Sequence, residues 1–170
     1  MTRQSCNATS TAARDRSLDL TSGVMAGARV LTMQGYRPIE DLAAGDKIIT
    51  RTGMCVLRSV TVTEYTCRPY RIAHNALGKD RANAVTFVVP GQRVLLRDWR
   101  AKYLFGHEMV IVPVDRLKDD EYITQVPTPR ACQVFNLHFE QEQIFYIDGV
   151  EIVSPQFEPQ AHVRNEPFAA

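Results

Sequence analysis

Between Gly23 and Ser154 the chain is a succession of short β-branched runs separated by turn residues. That rhythm fits a mostly β fold of many short strands. The runs are Arg29 to Met33, Lys47 to Thr50, Cys55 to Tyr65, Tyr70 to His74, Ala84 to Val89, Arg93 to Leu96, Met109 to Val114, Tyr122 to Val126, Cys132 to Phe139 and Gln143 to Ile147. Gln34-Gly35, Thr52-Gly53 and Asp148-Gly149 mark turns between them, because glycine supplies the positive φ of a tight hairpin. Two segments depart from the pattern. Pro38 to Leu42 predicts one helical turn with proline at its start, and Asp98 to Phe105 predicts a short helix ended by Gly106.

A chain of 170 residues, 45% apolar, buries one core and is too short for two large domains. Residues 1–22 are polar and Ser/Thr/Ala-rich, without a periodic apolar face, and are expected to form a flexible arm that adds little to the core. The folded domain is expected over residues 23–154. Residues 155–170 carry Pro155, Pro159 and Pro167, too many for a sheet interior, and form a C-terminal tail.

Twenty basic residues against nineteen acidic ones leave a net charge of +1, which gathers neither nucleic acid nor an anionic membrane. Apolar runs such as Val85 to Val89 and Val110 to Val114 have strand length, far below the roughly 20 residues of a membrane-spanning helix. With no apolar stretch of signal-peptide type near Met1, the expected location is the cytoplasm. There Cys6, Cys55, Cys67 and Cys132 are reduced thiols. Their wide spacing, and the lack of any Cys/His cluster, predict no metal site, and nothing in the sequence implies a cofactor.

Three blocks carry a family likeness. Gly27 to Thr50 combines a strand, the Gly35 turn, the Pro38-Ile39-Glu40-Asp41-Leu42 helical turn and a Gly45-Asp46 turn into the next strand. This block resembles the opening of Hint (Hedgehog/intein) domains. Pro90 to Ala101 followed by Leu104-Phe105-Gly106 resembles the middle block of the bacterial Hint variety. Phe135 to Phe139, then Ile144 to Glu151, resembles the closing block, a strand, an Asp-Gly turn and a second strand. The resemblance implies a horseshoe of short antiparallel strands with pseudo-two-fold symmetry and minor short helices.

It also implies a chemistry, and positions for it. Active Hint domains attack the carbonyl before their first residue with a Cys or Ser side chain, which needs a nucleophile and a proton carrier within hydrogen-bond reach. The nucleophile position, four residues before Gly27, holds Gly23. A "T/S-x-x-H" pattern in the middle block falls on Val89 and Gln92, neither of which passes a proton near neutral pH. Two histidine positions of the closing block hold Asn136 and Glu142. The resemblance therefore implies lost catalytic positions at Gly23, Val89, Gln92, Asn136 and Glu142.

Ser22 and His138 are the weaker alternatives. A register shift of one residue brings Ser22 to the cleavage position, and a slip of two along a strand keeps His138 on the face of Asn136. Of the remaining residues, His74 is expected at a strand end and His107 in a loop, and Trp99, Tyr103 and Phe105 as core anchors under the short helix. Asp115, Asp119, Asp120 and Glu121 around Lys118 form a solvated turn rather than a calcium loop. Three functions follow: a non-splicing Hint module with a binding or regulatory role toward a protein partner the sequence does not name; an autoprocessing domain that cleaves itself by an N-to-O acyl shift at Ser22; and an unrelated β-barrel that binds a small ligand.

Overall fold

The computed structural model of the protein describes residues 22–77 and 84–156. Expectations for the arm before Ser22, for Cys6 and for the tail beyond Gln156 lie outside them. Among the described residues there are fourteen strands: β1 (Val24–Met25), β2 (Arg29–Thr32), β3 (Gly35–Pro38), β4 (Lys47–Thr50), β5 (Gly53–Val56), β6 (Ser59–Cys67), β7 (Tyr70–Ile72), β8 (Thr86–Val88), β9 (Arg93–Leu96), β10 (Val110–Pro113), β11 (Ile123–Gln125), β12 (Arg130–His138), β13 (Ile144–Ile147) and β14 (Val150–Val153). One helix, α1 (Trp99–Phe105), and two 3-10 turns, Ile39–Asp41 and Val114–Leu117, complete the elements.

The strands form two sheets, and every pairing is antiparallel. The six-stranded sheet runs β11-β7-β8-β1-β12-β6, and the eight-stranded sheet runs β10-β9-β14-β13-β2-β4-β5 with β3 on β2. Apolar side chains that alternate along these strands meet in one core, where Val30, Ile48, Ile72, Leu96, Ile123, Leu137, Ile147 and Ile152 are almost fully buried. Leu57 belongs to the same core although it lies between strands.

All three predicted hairpin turns form, Asp148-Gly149 at its own residues and the other two just before Gly35 and Gly53, which open the strands that follow. Gly35, Gly53 and Gly149 all have positive φ, and Asp148, at φ 47, shares the left-handed region with its neighbour. Asp148 also buries its carboxylate, which accepts from the Arg29 backbone N–H at 3.2 Å, from Arg29 Nε at 3.1 Å and from the Thr86 hydroxyl at 3.3 Å. A turn residue thereby ties both sheets, β2 on one side and β8 on the other. Helix α1 starts where expected, with the Asp98 carboxylate accepting from the Arg100 N–H at 2.9 Å, and stops at Gly106 in the left-handed conformation.

Three details correct the sequence-based picture. The run Cys55 to Tyr65 is not one strand; it breaks at Leu57-Arg58, where Leu57 turns into the core and its N–H is bound by the Asp46 carbonyl at 2.8 Å. Pro38 ends β3 instead of starting a helix, and the 3-10 turn begins at Ile39. Trp99 and Tyr103 are not core anchors: they are 72% and 80% exposed, and only Phe105 of the three packs against the core. The helix rests on Ala101, whose small side chain leaves the large aromatics on its outer face.

That last correction sets up a contrast in stability. Ile152→Ala should cost about 2–5 kcal/mol in a urea titration, as large-to-small changes in a packed core do, whereas Trp99→Ala should stay within about 0.5 kcal/mol of wild type.

Candidate functional site

Strand β1 is only two residues long, yet it is wedged between β8 and β12, with Val24 opposite both Val88 and Phe135 and Met25 opposite Val134. The ladder extends one step upstream, because the Gly23 carbonyl accepts from the Val89 N–H at 3.1 Å. This brings the Ser22–Gly23 peptide bond into the sheet, where two side chains grip it. The Gly23 N–H donates to Gln92 Oε1 at 2.7 Å, and the Ser22 carbonyl accepts from Asn136 Nδ2 at 3.2 Å.

Gln92 is 1% exposed and fully engaged. Its Nε2 donates to the Arg93 carbonyl at 2.8 Å and to the Val153 carbonyl at 2.9 Å. One carboxamide thus joins the start of the domain at Gly23 to its last strand at Val153. The amide orientation follows from the partners, since Gly23 offers only a donor and the two carbonyls offer only acceptors. The tight turn from Val89 to Gln92, closed by a 3.0 Å hydrogen bond from the Gln92 N–H to the Val89 carbonyl, sets the side chain at this point.

Gly23 has φ +146, and a Cβ built there would fall inside the van der Waals shell of Val134 Cγ1. Neither the backbone nor the space admits a cysteine or serine side chain. Val134 belongs to a small apolar cluster with Met25 and Val89, all buried. The positions where the family resemblance places a nucleophile and a hydroxyl are therefore occupied by a bare glycine and packed methyl groups.

Of the seven candidate residues, the structure gathers Ser22, Gly23, Val89, Gln92 and Asn136 around a single peptide bond. Glu142 stands apart, in a 2.6 Å ion pair with Arg93 on a half-exposed surface. His138 lies two residues along β12 from Asn136 and shares a 2.9 Å hydrogen bond between its Nε2 and the Thr61 hydroxyl on β6. Burial holds its imidazole below the usual histidine range, so it is neutral near pH 7. His74 is an exposed turn residue rather than the end of a strand. Asp119 organises its loop by accepting from the N–H groups of Glu121, Tyr122 and Ile123 at 3.0, 2.8 and 2.8 Å. Burial alone would raise its pKa, but these donors lower it below the usual carboxylate value. Among the described residues no group of three or more His, Cys, Asp or Glu side chains could hold a metal ion.

Sequence reasoning missed two contributors. Val134 carries no chemical signal, and only the pairing of β1 with β12 sets it against Gly23. Ser154, 1% exposed, closes the far end by accepting from the Gln143 N–H through its hydroxyl at 2.9 Å and donating its own N–H to the Gln143 carbonyl at 2.8 Å.

An open pair of antiparallel sheets whose first strand brings an upstream peptide bond into the interior defines a Hint-type fold. The sequence pattern of the Hint domain family matches residues 23–156, and the chain belongs to that family. Its backbone is similar to the solution structure of a bacterial intein-like domain from Clostridium thermocellum, at 18% identity and TM-score 0.52, covering 78% of this chain and 98% of that one. It is also similar to the crystal structure of the gp41-1 intein, at 15% identity and TM-score 0.47, covering 77% of this chain and 97% of that one. No curated protein matches the chain. Family membership sets aside the unrelated ligand-binding barrel.

Two measurements check the site. Gln92→Leu strands the Gly23 N–H and the Val153 and Arg93 carbonyls together, and should cost about 2–4 kcal/mol by thermal or urea denaturation. For His138 the folded pKa is depressed, so the unfolded chain binds the proton more readily. Its contribution to stability is present above the unfolded pKa of about 6.5 and is lost as pH falls through the lower folded value. His138→Gln should flatten the loss of melting temperature as pH falls below about 6.5.

Proposed function

We propose that this chain is a Hint-fold module that keeps its N-terminal junction uncleaved and serves as a binding or regulatory domain toward another protein. The observation that carries this reading is the environment of Gly23. An acyl shift needs a side-chain oxygen or sulfur poised on the preceding carbonyl, a base and donors for the developing oxyanion. Gly23 offers no nucleophile, and Val134 closes the space for one. Gln92 takes the place of the proton carrier with a carboxamide that does not titrate, and Val89 replaces the hydroxyl. Loss of a base and of a donor each slows such a reaction roughly a hundredfold or more, on top of the missing nucleophile.

Asn136 is the one group whose geometry favours chemistry, because its Nδ2 faces the Ser22 carbonyl as an oxyanion donor would. A shift at Ser22, however, breaks the bond before Ser22, one position upstream of the peptide bond that Gln92 and Asn136 grip. A cytoplasmic location belongs to the same proposal. Cys55, Cys67 and Cys132 carry free thiols, and burial together with the neighbouring Cys132 pushes the Cys67 thiol up to about 11, so it stays protonated and unreactive.

The test is intact mass. The 19.2 kDa chain, incubated with a strong thiol or with hydroxylamine, should remain whole. A fragment ending near residue 22 that disappears in Ser22→Ala would establish autoprocessing at Ser22 and overturn the proposal. Gly23→Cys alone should destabilise the fold by about 2–4 kcal/mol through its positive φ and the clash with Val134, and pairing it with Val134→Ala should recover part of that loss.

A further inference from the structure

Cys67 ends β6, and Cys132 lies near the start of the strand beside it, β12. In the register of this pair Cys67 stands opposite Arg130 and Tyr65 opposite Cys132. Alternate residues of a strand share a face, so both cysteines project to the same side of the six-stranded sheet as diagonal neighbours. They pack there against the small apolar cluster of Met25, Val89 and Val134, together with Tyr65 and Phe87. Burial is the largest cause that pushes the Cys67 thiol up, and the Cys132 thiol adds to it through its charge and a side-chain hydrogen bond, which sets the two sulfurs side by side. Both thiols are free and half-buried.

We propose that Cys67 and Cys132 together hold a soft monovalent cation, Cu(I) above all, as a two-coordinate bis-thiolate. Thiolate is the ligand that selects Cu(I). Diagonal neighbours in a sheet have Cα atoms about 7–8 Å apart, beyond the roughly 6.8 Å that an unstrained disulfide spans. An ion between the sulfurs closes that gap, since two metal–sulfur bonds of about 2.3 Å each, the length zinc makes, reach further than one S–S bond of about 2.05 Å. Binding exchanges the two thiol protons, which pass to solvent, for the ion and leaves one negative charge on the site. Arg130, opposite Cys67, draws that thiol toward its anionic form and offsets the charge. Among the described residues no group of three or more His, Cys, Asp or Glu side chains forms around the pair, so a four-coordinate Zn(II) lacks ligands there.

The reduced full chain, titrated anaerobically with Cu(I) against the chelator bicinchoninate, should bind one ion tightly at this pair. Cys67→Ser and Cys132→Ser should each weaken that site about a hundredfold or more, and the double variant no further, because a single thiolate loses the gain of two linked ligands. Cys6→Ser and Cys55→Ser should keep it. In the wild-type chain, X-ray absorption should find two sulfur neighbours around the copper, and one equivalent should shift the NMR signals of Cys67, Arg130 and Cys132 while that of Cys55 stays in place. A wild-type chain that binds no Cu(I) overturns the inference, as does wild-type affinity in either single variant or a copper site with three or more sulfurs. Loss of the site in Cys55→Ser, or Zn(II) bound at the pair as tightly as Cu(I), also overturns it.

Discussion

A single buried carboxamide decides how this domain is closed. Gln92 takes a proton donor from Gly23 and gives hydrogen bonds to Val153 and Arg93, so the first and last strands of the domain meet through one side chain. A buried polar group costs free energy unless every partner is supplied. The turn that carries Gln92 satisfies that condition fully. β1, two residues long, would be a weak strand on its own, and its place between β8 and β12 is reinforced at one end by this contact.

The same side chain explains the electrostatic character of the junction. An amide offers donors and an acceptor in fixed places but exchanges no proton at neutral pH. Asn136 has the same property on the other side of the Ser22–Gly23 bond. Among the described residues the buried acids lie elsewhere and are matched by arginines, Asp148 with Arg29 and Glu151 with both Arg51 and Arg97 at 2.9 and 2.8 Å. Charge is used to hold strands together, and the junction is held by neutral hydrogen bonds and methyl packing.

Much of this was legible in the sequence, for identifiable reasons. Hairpins such as β4-β5 and β13-β14 announce themselves because a glycine turn must sit between two apolar runs. β1 could not be seen, since two residues carry no period, and β3 was hidden by a proline that fits a strand end as well as a helix start. The break at Leu57-Arg58 is invisible in a run of uniform β propensity; only the demand that Leu57 enter the core imposes it. At the site, the block spacing, which counts residues along the chain, singles out Gly23, Val89, Gln92 and Asn136, and the fold sets these four around one peptide bond. The spacing could not locate Val134, which meets Gly23 only through strand register, nor show that Glu142 faces Arg93 on the surface.

The account rests on the Ser22–Gly23 peptide bond being locked in place by Gln92, and the exchange rate of one amide reports on that directly. Native-state hydrogen exchange followed by NMR should find the Gly23 N–H protected nearly as strongly as the core amides of β12, with protection collapsing in Gln92→Leu while β12 amides keep theirs relative to global stability. A Gly23 amide that exchanges freely in the wild-type chain would contradict it, because the bond would then be open to solvent and to attack.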